Sequence, residues 1–155
     1  MAASETDNAA RYEDMRTLFV HEAVNKSVPF IFHDSYAHRD NGLRRLVRDE
    51  GMVAYGRYWL LVELLTGLPA HQYEVADDIG WEMLALDMSA LEPMSAEECR
   101  AFVGKLASHD LVSAEALGEC IVMIPRVTRD IQNYAEDIAR KKLGAWKRHY
   151  GSAGK

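Results

Sequence analysis

The sequence predicts a mainly α-helical domain with a small β-hairpin or sheet, arranged as a winged helix-turn-helix with a helical extension at each end. Three observations support this fold class. Apolar residues recur at helical spacing along most of the 155 residues. Two consecutive helical segments precede two β-prone runs, a pattern typical of a hairpin. The chain is 48% hydrophobic and contains no low-complexity tract, which favours a folded domain.

The first predicted element is a helix between Ser4 and Lys26. Apolar side chains that include Tyr12, Met15 and Phe19 follow one face, and charged residues occupy the other. Because a lone terminal helix must bury such a stripe, we expect these three residues to mediate self-association into a homo-oligomer. Residues 28–32 then predict a short strand that completes the sheet of the wing.

Two helices separated at Gly51 are predicted next. Asp40 is a suitable N-cap for the first helix, and Gly51 is a suitable end for it. The second helix runs from Val53 to about Thr66. Because it is apolar on nearly every side, we expect it to be the buried central helix.

Two further helices follow, each with a recognisable start. Asp77 begins the shorter one. The Ser95-Ala96-Glu97-Glu98 run is a capping box that begins the other, which ends near Asp110. The linker between them, residues 89–94, is longer than the turn of a compact helix-turn-helix.

The last part of the sequence predicts a hairpin and a long helix. Residues 111–113 and 120–124 are the two β-prone runs, joined by a loop. Thr128 is the expected cap of the final helix. The predicted organisation is therefore an N-terminal helical extension over 1–27, a winged-helix domain over 28–125, and a C-terminal helix with a basic tail over 126–155.

Cysteine usage and hydropathy favour a cytoplasmic protein. Cys99 and Cys120 stand alone, which is typical of reduced thiols rather than of a zinc site or a redox motif. The polar, acidic N-terminus does not resemble a secretory signal. The longest apolar run, residues 58–62, is far shorter than the roughly 20 residues that a membrane span needs. We therefore expect no membrane contact.

Residues in and before the predicted central helix form a distinctive pattern. The run Phe30-Ile31-Phe32-His33-Asp34, followed by Gly51, the run Tyr55-Gly56-Arg57-Tyr58-Trp59 and Glu63, is similar to the replisome-organiser N-terminal domain family, a DnaD-like winged-helix group. The resemblance extends over residues 29 to 150. It implies a non-enzymatic replication-initiation module that binds DNA, self-associates, or does both, and that helps to recruit a helicase or its loader. The residues for which it implies a structural, signature role are His33, Asp34, Tyr55, Gly56, Tyr58, Trp59 and Glu63.

The charges are distributed unevenly along the chain, whose net charge is −6. Residues 1–125 hold 10 Lys+Arg against 21 Asp+Glu, whereas residues 126–155 hold 8 against 3. The predicted recognition helix, from Ser95 to His109, offers only Arg100 and Lys105 as cations. Because base readout normally relies on cationic support from the phosphate contacts, we do not expect this helix to read the major groove.

Two groups of basic residues are the candidate DNA contacts. One is Arg44, Arg45 and Arg48; the other is Arg140, Lys141, Lys142, Lys147 and Arg148. An alternative for the first group is pairing with Asp40, Asp49 and Glu50, and for the second a solubilising helix end. The alternative function is a protein-interaction or oligomerisation winged helix, or a transcription regulator whose recognition helix does not contact bases.

Catalysis and metal binding have little support. His33, Asp34, His38 and Asp40 carry metal-like chemistry, but a turn and a helix cap explain them better. The aromatic residues within 55–59 could stack on single-stranded bases, although their spacing fits burial better. No P-loop, dinucleotide, nucleophile-elbow or zinc-protease motif occurs. We therefore expect no enzymatic activity, no cofactor and no metal.

Overall fold

A computed structural model gives the fold of residues 5–30, 33, 35–90 and 92–150, with side chains between residues 10 and 148 of those ranges. The elements in chain order are α1 (Glu5–Val24), a 3-10 turn (Ala37–Arg39), α2 (Asn41–Gly67), β1 (Tyr73–Glu74), α3 (Asp78–Met88), α4 (Ala96–Ser108), α5 (Ala114–Gly118), β2 (Ile121–Val122) and α6 (Pro125–Tyr150). The described chain is therefore mainly helical with a small sheet, as the sequence predicts.

The chain forms two compact units. One consists of Met1–Lys26 and Arg129–Lys155, and the other of Ser27–Thr128. The predicted N-terminal extension and nearly all of the predicted C-terminal one thus belong to the same unit. None of the helices in the described ranges has the length and apolarity required to cross a bilayer.

The strand expected at residues 28–32 is not formed at residues 28–30, and residues 31 and 32 lie outside the described ranges. Val28 donates its backbone N–H to the carbonyl of Thr66 at 3.2 Å, and Pro29 has no N–H to offer. The strand that pairs in the sheet is β1 instead. It lies antiparallel to β2, with Tyr73 opposite Val122 and Glu74 opposite Ile121.

The central helix α2 follows the sequence pattern closely. The Asp40 carboxylate accepts the N–H of Leu43 at 3.0 Å, so the predicted cap is confirmed. Gly51 has a non-helical backbone, with φ 81° and ψ −177°, and it divides α2 into the two predicted segments. The second segment is the buried helix, as predicted. Its buried apolar residues are Ala54, Tyr58, Trp59, Leu61, Val62 and Leu65.

Helices α3 and α4 begin where their caps predict. The Asp77 carboxylate accepts the N–H of Gly80 at 2.8 Å. The Ser95 hydroxyl accepts the N–H of Glu98, and the Glu98 carboxylate accepts the N–H of Ser95 at 2.8 Å. Both halves of the predicted capping box are therefore present.

The hairpin predicted from residues 111–113 and 120–124 is wrong. Residues 111–113 form no strand, and the intervening segment is the short helix α5, whose first turn is capped by the Ser113 hydroxyl. The Ala-Glu-Ala-Leu composition favours helix over an open loop. A single backbone hydrogen bond, from Ser113 to Met123 at 2.9 Å, takes the place of the expected ladder.

The expected cap of the last helix is also wrong. Helix α6 begins at Pro125, three residues before Thr128. Proline is favoured in the first turn of a helix because its missing N–H would have no intrahelical partner there. One face of α6 is apolar and buried, with Ile131, Ala135, Ala139 and Leu143.

Candidate nucleic-acid interface

Helix α4, the predicted recognition helix, has both of its cations in ion pairs. Arg100 pairs with Asp78 at 2.9 Å, and Lys105 pairs with Glu50 at 2.6 Å. Hydrogen bonds from the backbone N–H of Ser95 and then from its hydroxyl lower the pKa of Glu98. They therefore favour the negatively charged form of this carboxylate. Because Glu97 and Glu98 of its first turn balance its two cations, α4 has no net positive charge to offer a phosphate.

The arginines of the first α2 segment have unequal surroundings. Arg45 donates to the Asp110 carboxylate at 2.9 Å and to the carbonyl of His109 at 3.2 Å. Arg48 forms two bonds with Asp49, at 2.6 and 3.1 Å, which raise the pKa of Arg48 and lower that of Asp49. Among the described residues, Arg44 takes part in no ion pair. Of the three carboxylates suggested as local partners, only Asp49 pairs with one of these arginines.

Arg44 and Arg48 line an open cavity with a volume of about 480 Å³, which we call the α2 groove. Its lining residues are His38, Leu43, Arg44, Val47, Arg48, Met52 and Tyr55. This lining contains two guanidinium groups, an imidazole and an aromatic ring, and no carboxylate. Its remaining lining residues, Leu43, Val47 and Met52, are apolar, and we call them the floor of the groove. The groove therefore combines positive charge with apolar contact area.

The break at Gly51 shapes the α2 groove. Arg44 and Arg48 belong to the helical segment before Gly51, whereas Met52 and Tyr55 belong to the segment after it. A backbone with φ 81° and ψ −177° is essentially restricted to glycine. The relative position of the two walls of the groove therefore depends on a glycine at position 51.

Tyr55 is held at the groove by an aromatic cluster. Its ring meets the Trp59 ring edge-on, with centroids 6.2 Å apart. His33 stacks on Trp59 at 4.3 Å, and Tyr58 meets it edge-on at 5.4 Å. The Arg126 guanidinium lies 5.3 Å from the centroid of the same ring. Tyr58 and Trp59 are buried, whereas Tyr55 is only half-buried and reaches the groove.

The remaining signature residues are Gly56, Glu63 and Asp34. A Cβ added at Gly56 would meet open space, so no close helix approach explains this glycine. Glu63 is exposed, and Asp34 lies outside the described residues. The two histidines of the metal-like segment have other surroundings, since His33 stacks on Trp59 and His38 lines the α2 groove.

The basic residues of α6 are largely engaged within their own unit. Lys142 pairs with Glu22 at 3.2 Å, which together with Lys26 lowers the pKa of Glu22. Arg140 pairs with Asp137 at 2.9 Å. Lys141 and Arg148 are exposed, and Lys147 lies above an aromatic ring of α1.

Two lysines of α6 also lie over aromatic rings of the α1 stripe. The Lys147 ammonium lies 4.7 Å from the centroid of the Tyr12 ring, and that of Lys142 lies 5.0 Å from the Phe19 centroid. Tyr12, Phe19 and Met15 are each half-buried. Because these side chains are only partly covered and Leu18 of α1 is 66% exposed, self-association through this stripe stays a prediction.

The sequence analysis gave no functional role to three lining residues of the α2 groove, namely Leu43, Val47 and Met52. For Leu43 and Val47 the available signal is their i, i+4 spacing in the helical segment before Gly51. Comparisons with protein-family models, with curated proteins and with solved structures find no match. The resemblance to the replisome-organiser family therefore rests on sequence residues alone and stays a prediction.

Proposed function

We propose that this chain is a non-enzymatic cytoplasmic module of the replication-initiation type, which associates with DNA through the α2 groove. The observation that carries the proposal is the pair of arginines, Arg44 and Arg48, in a concave surface without a carboxylate. Such a surface suits a phosphate backbone, whose contacts supply affinity without sequence information. In replication proteins of the kind that the sequence resembles, such a module would help to bring a helicase or its loader to DNA.

The order of elements supports a winged helix-turn-helix arrangement as part of this proposal. Strand β1 precedes the helix pair α3 and α4, and β2 follows the pair and returns to β1. Helix α5 occupies the place of the wing. The long linker between the paired helices is closed by Ser89, whose hydroxyl donates to the carbonyl of Ala85 and accepts the N–H of Met94.

Fluorescence anisotropy with labelled DNA at low salt tests the proposal. The variant Arg44→Gln/Arg48→Gln should bind about tenfold more weakly, since two exposed charge contacts of about 0.7 kcal/mol each give about 1.4 kcal/mol. The matched control Arg100→Gln/Lys105→Gln removes two cations from α4 and should stay within about twofold of the wild type.

Two outcomes would contradict the proposal. The first is a wild-type chain that binds neither single-stranded nor double-stranded DNA at low salt. The second is a loss of binding in Arg140→Gln/Lys141→Gln with no loss in the α2 variant, which would move the contact to α6. Unchanged melting temperatures of the variants would establish that binding, and not folding, has been altered.

A second candidate function, docking of a protein partner, is favoured by an exposed face of α3. Ile79, Met83 and Leu86 are 66%, 49% and 66% exposed and lie one helical turn apart. The exposed carboxylates of Asp78 and Glu82 flank this apolar stripe. Its charge and shape suit a partner helix with apolar residues beside Lys and Arg.

Titration with a Lys-rich amphipathic helical peptide tests this docking face. The peptide should bind the wild type, and Met83→Glu should abolish binding because it places a charge in the apolar stripe. Val53→Glu is the matched control, since Val53 is also exposed, at 60%, but belongs to α2. Equal binding by both variants would exclude α3 as the docking face.

A further inference from the structure

We propose that the α2 groove is a site for one unpaired nucleotide of a DNA single strand. The phosphate would contact Arg44 and Arg48, and the base would lie against Tyr55 and the apolar floor. This inference rests on the proposed DNA association and adds the class of DNA that the groove prefers.

The shape of the groove favours an unpaired base over a duplex. Its volume, about 480 Å³, falls in the range of sites that enclose small ligands, roughly 300–1,000 Å³. A duplex presents phosphates on its outside while its bases stay stacked and paired, so it would leave the partly exposed Val47 and the exposed Met52 uncovered. An unpaired nucleotide offers both a phosphate and a free base face to the same concave surface.

The groove offers exposed apolar area beside its arginines. Met52, one of its lining residues, is 66% exposed. Tyr55 is half-buried, and its ring is fixed by the edge-on contact with Trp59. His33 stacks on the other partner in this contact, Trp59, so Tyr55 belongs to a cluster of aromatic contacts that forms without a ligand. A fixed ring loses little conformational entropy when a base stacks on it.

The charges of the groove are available to a phosphate. Arg44 has no ion pair among the residues with described side chains. Arg48 is paired with Asp49, but its side chain is 70% exposed, and exposed pairs of this kind contribute little free energy. A phosphate can therefore take the place of Asp49 on Arg48, with His38 also in the lining.

The decisive experiment compares a labelled oligothymidylate with a duplex of equal length. The wild type should bind the single strand more tightly. Tyr55→Leu, which keeps an apolar side chain, should weaken single-strand binding about tenfold and duplex binding less than twofold. Tyr55→Phe, which keeps the ring, should retain the wild-type preference. Arg44→Gln/Arg48→Gln should weaken both.

A cross-linking measurement keeps the inference testable without any variant. An oligonucleotide that carries 5-iododeoxyuridine should cross-link to Tyr55 of the wild-type chain, as located by mass spectrometry. Cross-links confined to other regions would overturn the inference. Equal binding of both DNA forms, unchanged by Tyr55→Leu, would overturn it while leaving the proposed DNA association intact. Binding of neither form would overturn both.

Discussion

Replacing Gly51 by alanine should destabilise the protein, although a Cβ at this position would have no atom within 4 Å. The cost comes from the backbone. With φ 81° and ψ −177°, Gly51 occupies a region that costs a non-glycine residue about 1–3 kcal/mol. The unfolded chain of the Gly51→Ala variant has less conformational entropy to lose on folding, which stabilises the variant by about 0.4–1 kcal/mol. The expected net loss is about 1.5 kcal/mol.

Thermal unfolding followed by circular dichroism measures this loss. In a chain of 155 residues, 1 kcal/mol shifts the melting temperature by roughly 2–4 °C, so Gly51→Ala should melt about 3–6 °C lower than the wild type. Gly56→Ala is the matched control in the same helix. Its Cβ also meets open space, but Gly56 has ordinary helical backbone, so alanine should raise stability by about 0.5–1 kcal/mol.

The opposite signs of the two substitutions are the test of the helix break. If Gly51→Ala raises the melting temperature as Gly56→Ala does, α2 is continuous through residue 51. The walls of the α2 groove would then be misplaced, and the reasoning about Arg44, Arg48 and Tyr55 would fail with them.

Four further predictions concern packing, capping and titration. Gly42→Ala should cost about 1–3 kcal/mol in thermal unfolding, because its Cβ would lie 2.6 Å from the His109 carbonyl; an unchanged melting temperature would mean that this close approach is absent. Ser95→Ala should cost about 1 kcal/mol in urea unfolding through loss of the capping box, and no loss would contradict that role. The lowered pKa of Glu98 gives stability that is present above its usual value of 4.5 and is lost as the pH falls below it; Glu98→Gln should reduce this acid loss. Burial and a hydrogen bond to Asp87 raise the pKa of Tyr73 to about 12, and Asp87→Asn should lower it in a phenolate absorbance titration.

Local signals account for the parts of the fold that the sequence analysis predicted. The caps Asp40 and Asp77 and the capping box at Ser95 act within four residues of themselves, so their pattern suffices to place three helix starts. The burial of α2 follows from apolar residues on all sides.

The errors arose where distant partners decide the structure. Strand pairing joins Tyr73 with Val122, and a run of two residues gives too weak a pattern to compete with the β-prone residues 28–32. The ring contact between Tyr12 and Lys147 likewise joins residues more than 100 positions apart. Sequence spacing alone does not contain these contacts.

The candidate site was predicted in part. Arg44 and Arg48 were named from their charge and spacing, whereas the concave surface around them depends on the backbone at Gly51, which the sequence analysis treated only as a helix end. Tyr55 was expected to be buried with Trp59. Its partial exposure follows from its place at the wall of the groove, which becomes visible only when both helix segments are positioned.

The salt dependence of single-strand binding tests the central claim, that Arg44 and Arg48 contact phosphate. The logarithm of the binding constant is measured against the logarithm of the salt concentration, and each phosphate contact contributes about −0.7 to the slope. Arg44→Gln/Arg48→Gln should flatten the slope by about 1.4, and Arg100→Gln/Lys105→Gln should leave it unchanged. A slope that is unchanged in the α2 variant and flattened in the α4 variant would contradict the account.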